Sequence, residues 1–436
     1  MSDAVRSAAV TDRGRPRGGL LRHRNFRLLW AGQSVSDLGT AVSGIVLPLI
    51  AVVYLDASAL EVGLLSALVW LPWLLIGLPA GVLVDRSRKR PLLIWCDVAR
   101  AVLMGSVPIA AAFDALTIGQ LFVVAAAVGF ATVFFQVAYQ SYLPTLIARD
   151  ELTEGNAKLQ GSQAAAGVIG PGVGGLLVEV FRAPFALIAD ALSYLVSVVA
   201  LLGITAREAE PERPERRSLR AEIAEGARFV RADPLLRVMT ISPALGNFFY
   251  IGYEAIVVLF LVRTVHLRPG LVGVLLALVG VGAVIGAALA RPFARWVGTA
   301  RALWLGFAIT APFSLLIPLT TGGFGVLLFV FGNVIMLMGV LVYNVTIGSF
   351  RQAYCPPNLL GRIVATMRFV LFGSMPLGAL FGGVLADLLG TRSAVLVLML
   401  GNLIPVLVLV TSPLRTMRDL PERPPEALSS AGSSPA

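Results

Sequence analysis

Long apolar runs dominate the chain, and short polar segments separate them. The runs lack the two-residue alternation of barrel strands, and each is long enough to cross a bilayer as a helix of about 20 residues. In lipid, only helices and closed barrels satisfy the backbone hydrogen bonds. The pattern predicts an all-α membrane protein with twelve transmembrane helices, at residues 26–54, 60–84, 91–112, 118–141, 158–180, 184–204, 238–262, 270–290, 300–320, 324–347, 363–388 and 393–412.

A polar insertion at 206–237 separates the first six runs from the last six. Its first part, REAEPERPERR, is rich in proline and charge and is predicted to be flexible. The next part places Leu219, Ile223, Gly226 and Val230 on one helical face, which predicts an amphipathic helix at the membrane interface. The predicted organisation is a disordered tail, a six-helix half, the linker, a second six-helix half and a second disordered tail, at 1–24, 25–205, 206–237, 238–414 and 415–436.

Composition excludes several classes of protein. Hydrophobic residues make up 57% of the chain and charged residues 14%, against a usual charged share of about 25%, so a soluble enzyme is excluded. Neither Lys89 nor Lys158 stands in a GxxxxGK[ST] loop, so the chain has no ATP-binding loop of this kind. The two histidines and two cysteines are too few and too scattered for a zinc site, and we expect no metal and no cofactor.

The positive charges indicate how the helices are oriented. Arg182, Arg263, Arg268 and Arg392 fall on one set of loops and Arg100 falls inside a run, whereas the other thirty of the 35 Lys and Arg fall on the opposite loops and the tails. Because positive loops mark the cytoplasmic side, both termini are predicted to be cytoplasmic in a cell membrane. The net charge of +10 is thereby explained without a nucleic-acid partner.

The loop after the second run carries a short motif, GVLVDRSRKR from Gly81 to Arg90. A glycine before the acidic–basic pair allows close helix packing, and the basic run by itself could serve only as a positive-inside anchor. The motif resembles the GxxxDRxGRR loop of the major facilitator superfamily, with Arg88 in place of a glycine. We expect Asp85, Arg86 and Arg90 to form a cytoplasmic latch that bridges the halves and stabilises the outward-open state.

The fifth run contains five glycines around a proline, GVIGPGVGG from Gly167 to Gly175. This composition permits a bend and close backbone approach, and a generic packing face is the alternative interpretation. Gly170, Pro171, Gly174 and Gly175 resemble the GPxxGG antiporter motif of the same superfamily. That resemblance implies export driven by a counter-ion.

Further stretches narrow the resemblance. Those at 25–33, 190–194, 361–362 and 376–378 resemble the enterobactin-exporter-like and macrolide-efflux-like branch, and the likeness covers 25–414. It implies the major facilitator fold, with two pseudo-symmetric six-helix halves, and a proton-coupled antiporter that exports a small organic molecule by alternating access. The RxxQG motif of many drug/proton antiporters is absent from the fourth run. Fold alone does not set direction, so an uptake symporter of the same fold is the alternative, and a multi-span membrane enzyme is a remote one.

Two carboxylates inside the runs are candidates for coupling, because ionisable groups in a bilayer are costly. Asp37 lies eleven residues after Phe26, about 16 Å into the membrane, where transporter sites are found. It is predicted to couple to protons or to recognise a cation; the alternative is a helix–helix hydrogen bond with Ser34 or a neighbouring span. Glu254 lies about 25 Å along the seventh run from Arg237, and is the second candidate.

Other polar residues in the runs are interpreted as structural. Asp97 and Arg100 are three residues apart on one helical face, which predicts an ion pair. Asp190 is also expected to be structural rather than coupling.

The resemblance implies that the first, fourth, seventh and tenth helices line a central cavity. A mostly apolar lining with aromatic and amide groups suits a bulky amphipathic ligand. The expected partners are therefore a small organic substrate, protons and the lipid bilayer, with no ATP and no nucleic acid, and the chain is expected to be a monomer. The cavity candidates are Gln33, Gln136, Tyr139, Asn247, Tyr250, Asn333 and Asn344, each of which could instead serve only in packing.

Overall fold

The computed structural model describes residues 19–77, 79–206, 208, 219–355 and 359–421. Within these residues there are twelve helices long and apolar enough to span a membrane and no strand, which confirms the predicted all-α fold. We number them as spans 1 to 12 in chain order: Arg24–Tyr54, Ala59–Ile76, Lys89–Ala112, Ile118–Leu146, Arg149–Phe181, Ala183–Leu202, Pro234–Thr264, Pro269–Val297, Thr299–Leu319, Gly323–Arg351, Leu360–Leu389 and Thr391–Val410.

Prolines interrupt three runs that were predicted as continuous helices. Span 2 stops at Ile76 and a short helix follows at Pro79–Asp85. The second part of span 9, Ala311–Leu319, is a 3-10 helix, and span 12 is broken at Asn402 before Pro405. Proline has no amide hydrogen and clashes with the preceding turn. Each of these three runs is therefore divided into two helical segments.

The linker contains a helix at Leu219–Ala232. Its Phe229 and Val230 are buried in the core of the second half. A Cβ at Gly226 would meet the backbone of Arg362 at the start of span 11, so only a glycine allows this close approach. The predicted face also includes Leu219 and Ile223, whose side chains lie outside the described residues, as do positions 207 and 209–218.

The prediction of disordered tails is wrong for the segments that adjoin the bundle. Leu20 is fully buried beside Phe26. At the other end, the Asp419 carboxylate accepts a hydrogen bond of 2.9 Å from the amide of Thr299 and so caps the first turn of span 9. An apolar side chain and a capping carboxylate therefore hold these segments in place. Residues 1–18 and 422–436 lie outside the described residues.

The halves, spans 1–6 and 7–12, repeat one another in local detail. Span 1 and span 7 both end in a wider π turn, with backbone hydrogen bonds from Leu55 to Ile50 (3.0 Å) and from Val265 to Phe260 (3.1 Å). A residue in the left-handed region follows each turn, Asp56 in the first half and His266 in the second. The same backbone device at matching positions supports the pseudo-symmetry of the fold.

The halves meet near the loops that join spans 1 and 2 and spans 7 and 8. We call this end of the bundle the far side, and the end that carries both described chain ends the terminal side. A Cβ at Gly63 of span 2 would lie 2.6 Å from the Cα of Gly383 in span 11. Arg263 donates to the Asp56 carboxylate at 2.6 Å across the same contact. The bundle is therefore closed at the far side.

Candidate functional site

Two cavity lobes lie on the terminal side of this contact, one in each half. The lobe in the first half, here called the N lobe, has a volume of about 80 Å³ and is lined from spans 1, 4 and 5. The lobe in the second half, the C lobe, has a volume of about 210 Å³ and is lined mainly from spans 7, 10 and 11. The C lobe reaches from Met239 to Tyr250, which is sixteen residues along span 7 from Pro234, or about 24 Å.

The N lobe is polar and contains Asp37. Its carboxylate accepts a hydrogen bond of 2.7 Å from the Gln33 side chain one turn earlier on span 1, where residues i and i+4 share a face. Gln136 and Tyr139 of span 4 line the same lobe. The Tyr139 hydroxyl is buried with no hydrogen-bond partner among the described residues. The structure thus brings together Asp37 and three of the predicted cavity residues.

Asn247, Tyr250 and Asn344 line the C lobe. Asn333 does not: it is buried, and it accepts a hydrogen bond of 3.1 Å from the Tyr253 hydroxyl. Asn333 therefore satisfies its polar groups within the second half.

The C lobe also contains two arginines that the sequence analysis missed, Arg351 of span 10 and Arg368 of span 11. Both were counted among the loop charges that orient the helices. Arg368, however, falls inside the predicted run 363–388, and that position was the available signal. An arginine inside a span is as informative as a buried carboxylate.

Glu254 lines neither lobe. It lies ten residues before the end of span 7 at Thr264, about 15 Å from the far side. Among the described residues it has no hydrogen bond and no ion pair, yet its side chain keeps accessible surface. Two candidate coupling carboxylates are thus separated: Asp37 faces a cavity lobe, and Glu254 lies closer to the far-side contact.

Asp97 and Arg100 form a buried ion pair within span 3. The guanidinium also lies over two aromatic rings, 4.1 Å from the ring centre of Phe135 and 4.4 Å from that of Tyr194. Cation–π contacts of this kind help to hold a desolvated cation. The pair links spans 3, 4 and 6 inside the first half.

Replacing Asp97 by alanine should destabilise the protein, because Arg100 would remain buried without its counter-charge. Losing one member of such a pair costs about 3–5 kcal/mol, whereas an apolar replacement of both costs less. Thermal unfolding of the purified protein checks this, with the double variant Asp97→Leu/Arg100→Met as the matched control. Equal stability of the single and double variants would contradict the structural role.

Asp190 belongs to a second polar cluster of the first half. It accepts hydrogen bonds from Ser43 at 2.5 Å and from Ser193 at 3.2 Å, and a Cβ at Gly39 would collide with it. The carboxylate thus binds span 1 to span 6 and lines neither lobe.

Among the described residues, the predicted latch residues form no hydrogen bond or ion pair between the halves. Asp85 and Arg86 are exposed, and Asp85 has no hydrogen bond or ion pair among the described residues. The Arg90 side chain instead donates to the carbonyls of Leu201 and Leu202 at 2.8 Å each, at the end of span 6. A Cβ at Gly81 would meet no atom of the described residues within 4 Å.

The glycines of span 5 contact two different helices. Gly170 and Gly174 pack against span 1, where a Cβ at Gly174 would lie 3.0 Å from the carbonyl oxygen of Val42. Gly175 faces the other half: its Cβ would lie 2.8 Å from the Cα of Gly273 in span 8, and the carbonyl of Pro171 packs on the same glycine. The motif therefore forms part of the far-side contact.

Comparison with known proteins agrees with this architecture. Residues 19–430 match the profile of a family described as transmembrane secretion effectors. Macrolide efflux protein A of Streptococcus pyogenes is 24% identical over 377 residues, which cover 84% of this chain and 90% of that protein. The multidrug efflux pump Tap of Mycobacterium tuberculosis is 28% identical over 413 residues, 91% of this chain and 94% of that protein.

The fold is also found among solved structures. A bacterial homologue of the human lysosomal transporter Spinster, crystallised in an inward-facing and unoccupied conformation, has a TM-score of 0.69 at 15% identity. The match covers 91% of this chain and 97% of that chain. It therefore extends over both halves.

Proposed function

Because the chain belongs to the transmembrane secretion effector family of the major facilitator superfamily, we propose that it is a proton-coupled antiporter that exports a small amphipathic organic molecule. Its relatives are efflux proteins, named for macrolides and for multiple drugs. Gly175 and Pro171 of the GPxxGG pattern lie where the halves meet, and the resemblance of this pattern to an antiporter motif supports outward transport coupled to a counter-ion.

Asp37 is the observation that carries the coupling proposal. It is half-buried on the wall of the N lobe, and among the described residues it has no ion pair. Its hydrogen bond comes from a neutral amide. A carboxylate without a fixed cationic partner can take up and release a proton as its access to water changes. Asp37 would thus carry protons inward while the substrate moves outward, and Glu254 is the second candidate.

The proposed cycle alternates which end of the bundle is closed. With both termini in the cytoplasm of a bacterial cell, the closed far side would face outward, and both lobes would lie on the inner side of that contact. In the opposite state the far-side glycine contacts separate and the terminal side closes. Asp85, Arg86 and Arg90 would then form the latch between the halves, which agrees with the absence, among the described residues, of cross-half hydrogen bonds and ion pairs from these three side chains.

The proposal is tested by following a panel of macrolides and other amphipathic antibiotics in cells with and without the gene. We expect lower accumulation in the expressing cells, and loss of that difference when a protonophore is added. Lower accumulation that resists the protonophore would contradict proton coupling. Higher accumulation in expressing cells would contradict export and indicate the uptake symporter.

A further inference from the structure

Arg351 and Arg368 form a pair of positive charges on the wall of the C lobe. Neither has a carboxylate partner among the described residues, and both line the same lobe. Arg351 is half-buried, and Arg368 exposes its side chain to the lobe. Two like charges on one cavity wall are unfavourable unless an anion neutralises them.

A third polar group on the same wall lacks a partner. Tyr343 is only 1% exposed, and its hydroxyl has no hydrogen bond among the described residues, although it lies on the lining of the lobe. Buried hydroxyls are nearly always paired. A ligand oxygen that accepts from this hydroxyl would satisfy it, and the two guanidiniums offer donors in a fork that matches a carboxylate or a sulfonate.

The rest of the wall is apolar and partly aromatic. Phe307 packs edge-on against the Tyr343 ring, with ring centres 5.0 Å apart, and Tyr250 and Met336 line the same lobe. Aromatic and thioether groups favour flat, polarisable ligands. The N lobe is lined by amides and a carboxylate instead. Of the two lobes, the C lobe is therefore the one whose lining carries positive side chains.

We propose that the C lobe binds the anionic group of an amphipathic aromatic substrate, held by Arg351, Arg368 and the Tyr343 hydroxyl. This inference names the substrate class of the proposed exporter and rests on that function for the direction of movement. Because Arg351 and Arg368 lie toward the terminal side of the C lobe, the anionic group of the substrate would lie there. Its aromatic part would lie farther into the lobe, near Tyr250. A cationic ligand of the same shape should bind this lobe poorly.

The test compares two dyes on the same xanthene rings, fluorescein as the anion and a rhodamine as the cation. Binding is measured by fluorescence anisotropy on the purified protein in phosphatidylcholine nanodiscs. We expect fluorescein to bind more tightly than the rhodamine. Arg351→Gln and Arg368→Gln should each weaken fluorescein binding about tenfold, because each removes a charge-assisted hydrogen bond, and Tyr343→Phe should weaken it by a few fold.

Arg301→Gln is the matched control, because Arg301 is exposed and lies outside both lobes while its loss changes net charge equally. Equal affinity for the two dyes, or unchanged fluorescein binding in both arginine variants, would overturn the inference. Displacement of fluorescein by a few per cent of phosphatidylglycerol in the discs would assign the site to a lipid headgroup and also overturn it. Binding needs no proton gradient, so this result is independent of whether the export proposal stands.

Discussion

Replacing Gly175 by alanine should slow transport, although the substitution adds a single methyl group. The new Cβ would lie 2.8 Å from two backbone atoms of the other half, the Cα of Gly273 and the carbonyl oxygen of Pro269. Backbone atoms cannot rotate away, so the halves must separate at the far side. Overpacking of this kind costs about 1–3 kcal/mol, which shifts a two-state equilibrium roughly 5- to 150-fold, here away from the closed far side.

Gly167 supplies the matched control on the same helix, since a Cβ there would meet no atom within 4 Å in the described part of the chain. Gly167→Ala should therefore transport as the parent does, within about twofold, because open space carries no overpacking cost. The conformational shift is measured with an introduced thiol, Ala59→Cys, at a position that is 8% exposed beside the far-side contact. We expect faster labelling by a membrane-impermeant maleimide from the far side in the Gly175→Ala background.

The two native cysteines should not interfere with this labelling. Cys96 and Cys355 are both buried. Burial raises the pKa of the Cys355 thiol to about 11, so it stays protonated and slow to react at neutral pH. Full transport together with unchanged labelling in Gly175→Ala would show that the glycine contact does not govern closure.

The number of spans could be predicted from the sequence because hydropathy and span length are local properties. The interruptions in spans 2, 9 and 12 were overlooked because an apolar window ignores what proline does to the backbone. The ordered ends were missed for another reason. Leu20 and Asp419 lie in polar segments, and partners distant in the sequence, Glu154 and Thr299, help to hold them in place.

Only some of the residues that line the two lobes could be predicted from the sequence, and their arrangement could not. Asp37 could be identified from its depth alone, and Gly175 from its motif. The pairing of Gly175 with Gly273, and the division of the cavity into a polar and a positively charged lobe, depend on which helices the fold brings together. The arginines of the C lobe were missed because the positive-inside rule counts positive residues to orient the helices. That count does not distinguish residues in loops from residues inside a span.

Replacing Asp37 by asparagine should abolish proton-driven transport while leaving substrate binding in place. Asparagine keeps the side-chain shape and an oxygen that can accept the 2.7 Å hydrogen bond from Gln33, but it cannot carry a proton in exchange for substrate. The prediction is a loss of transport driven by a pH gradient to background in everted vesicles that are acidic inside. Exchange of labelled for unlabelled substrate, which needs no net proton movement, should persist.

Asp114→Asn is the control for this experiment, because Asp114 is an exposed loop residue in the left-handed region, which asparagine also adopts. Glu254→Gln is the informative comparison. Glu254 lies near the far-side contact and lines neither lobe, so its loss should alter the rate of conformational exchange more than the dependence on pH. If Glu254→Gln lost transport driven by the pH gradient and Asp37→Asn kept it, the proton-coupling residue would be Glu254 of span 7. Asp37 would then serve only in the binding surface of the N lobe.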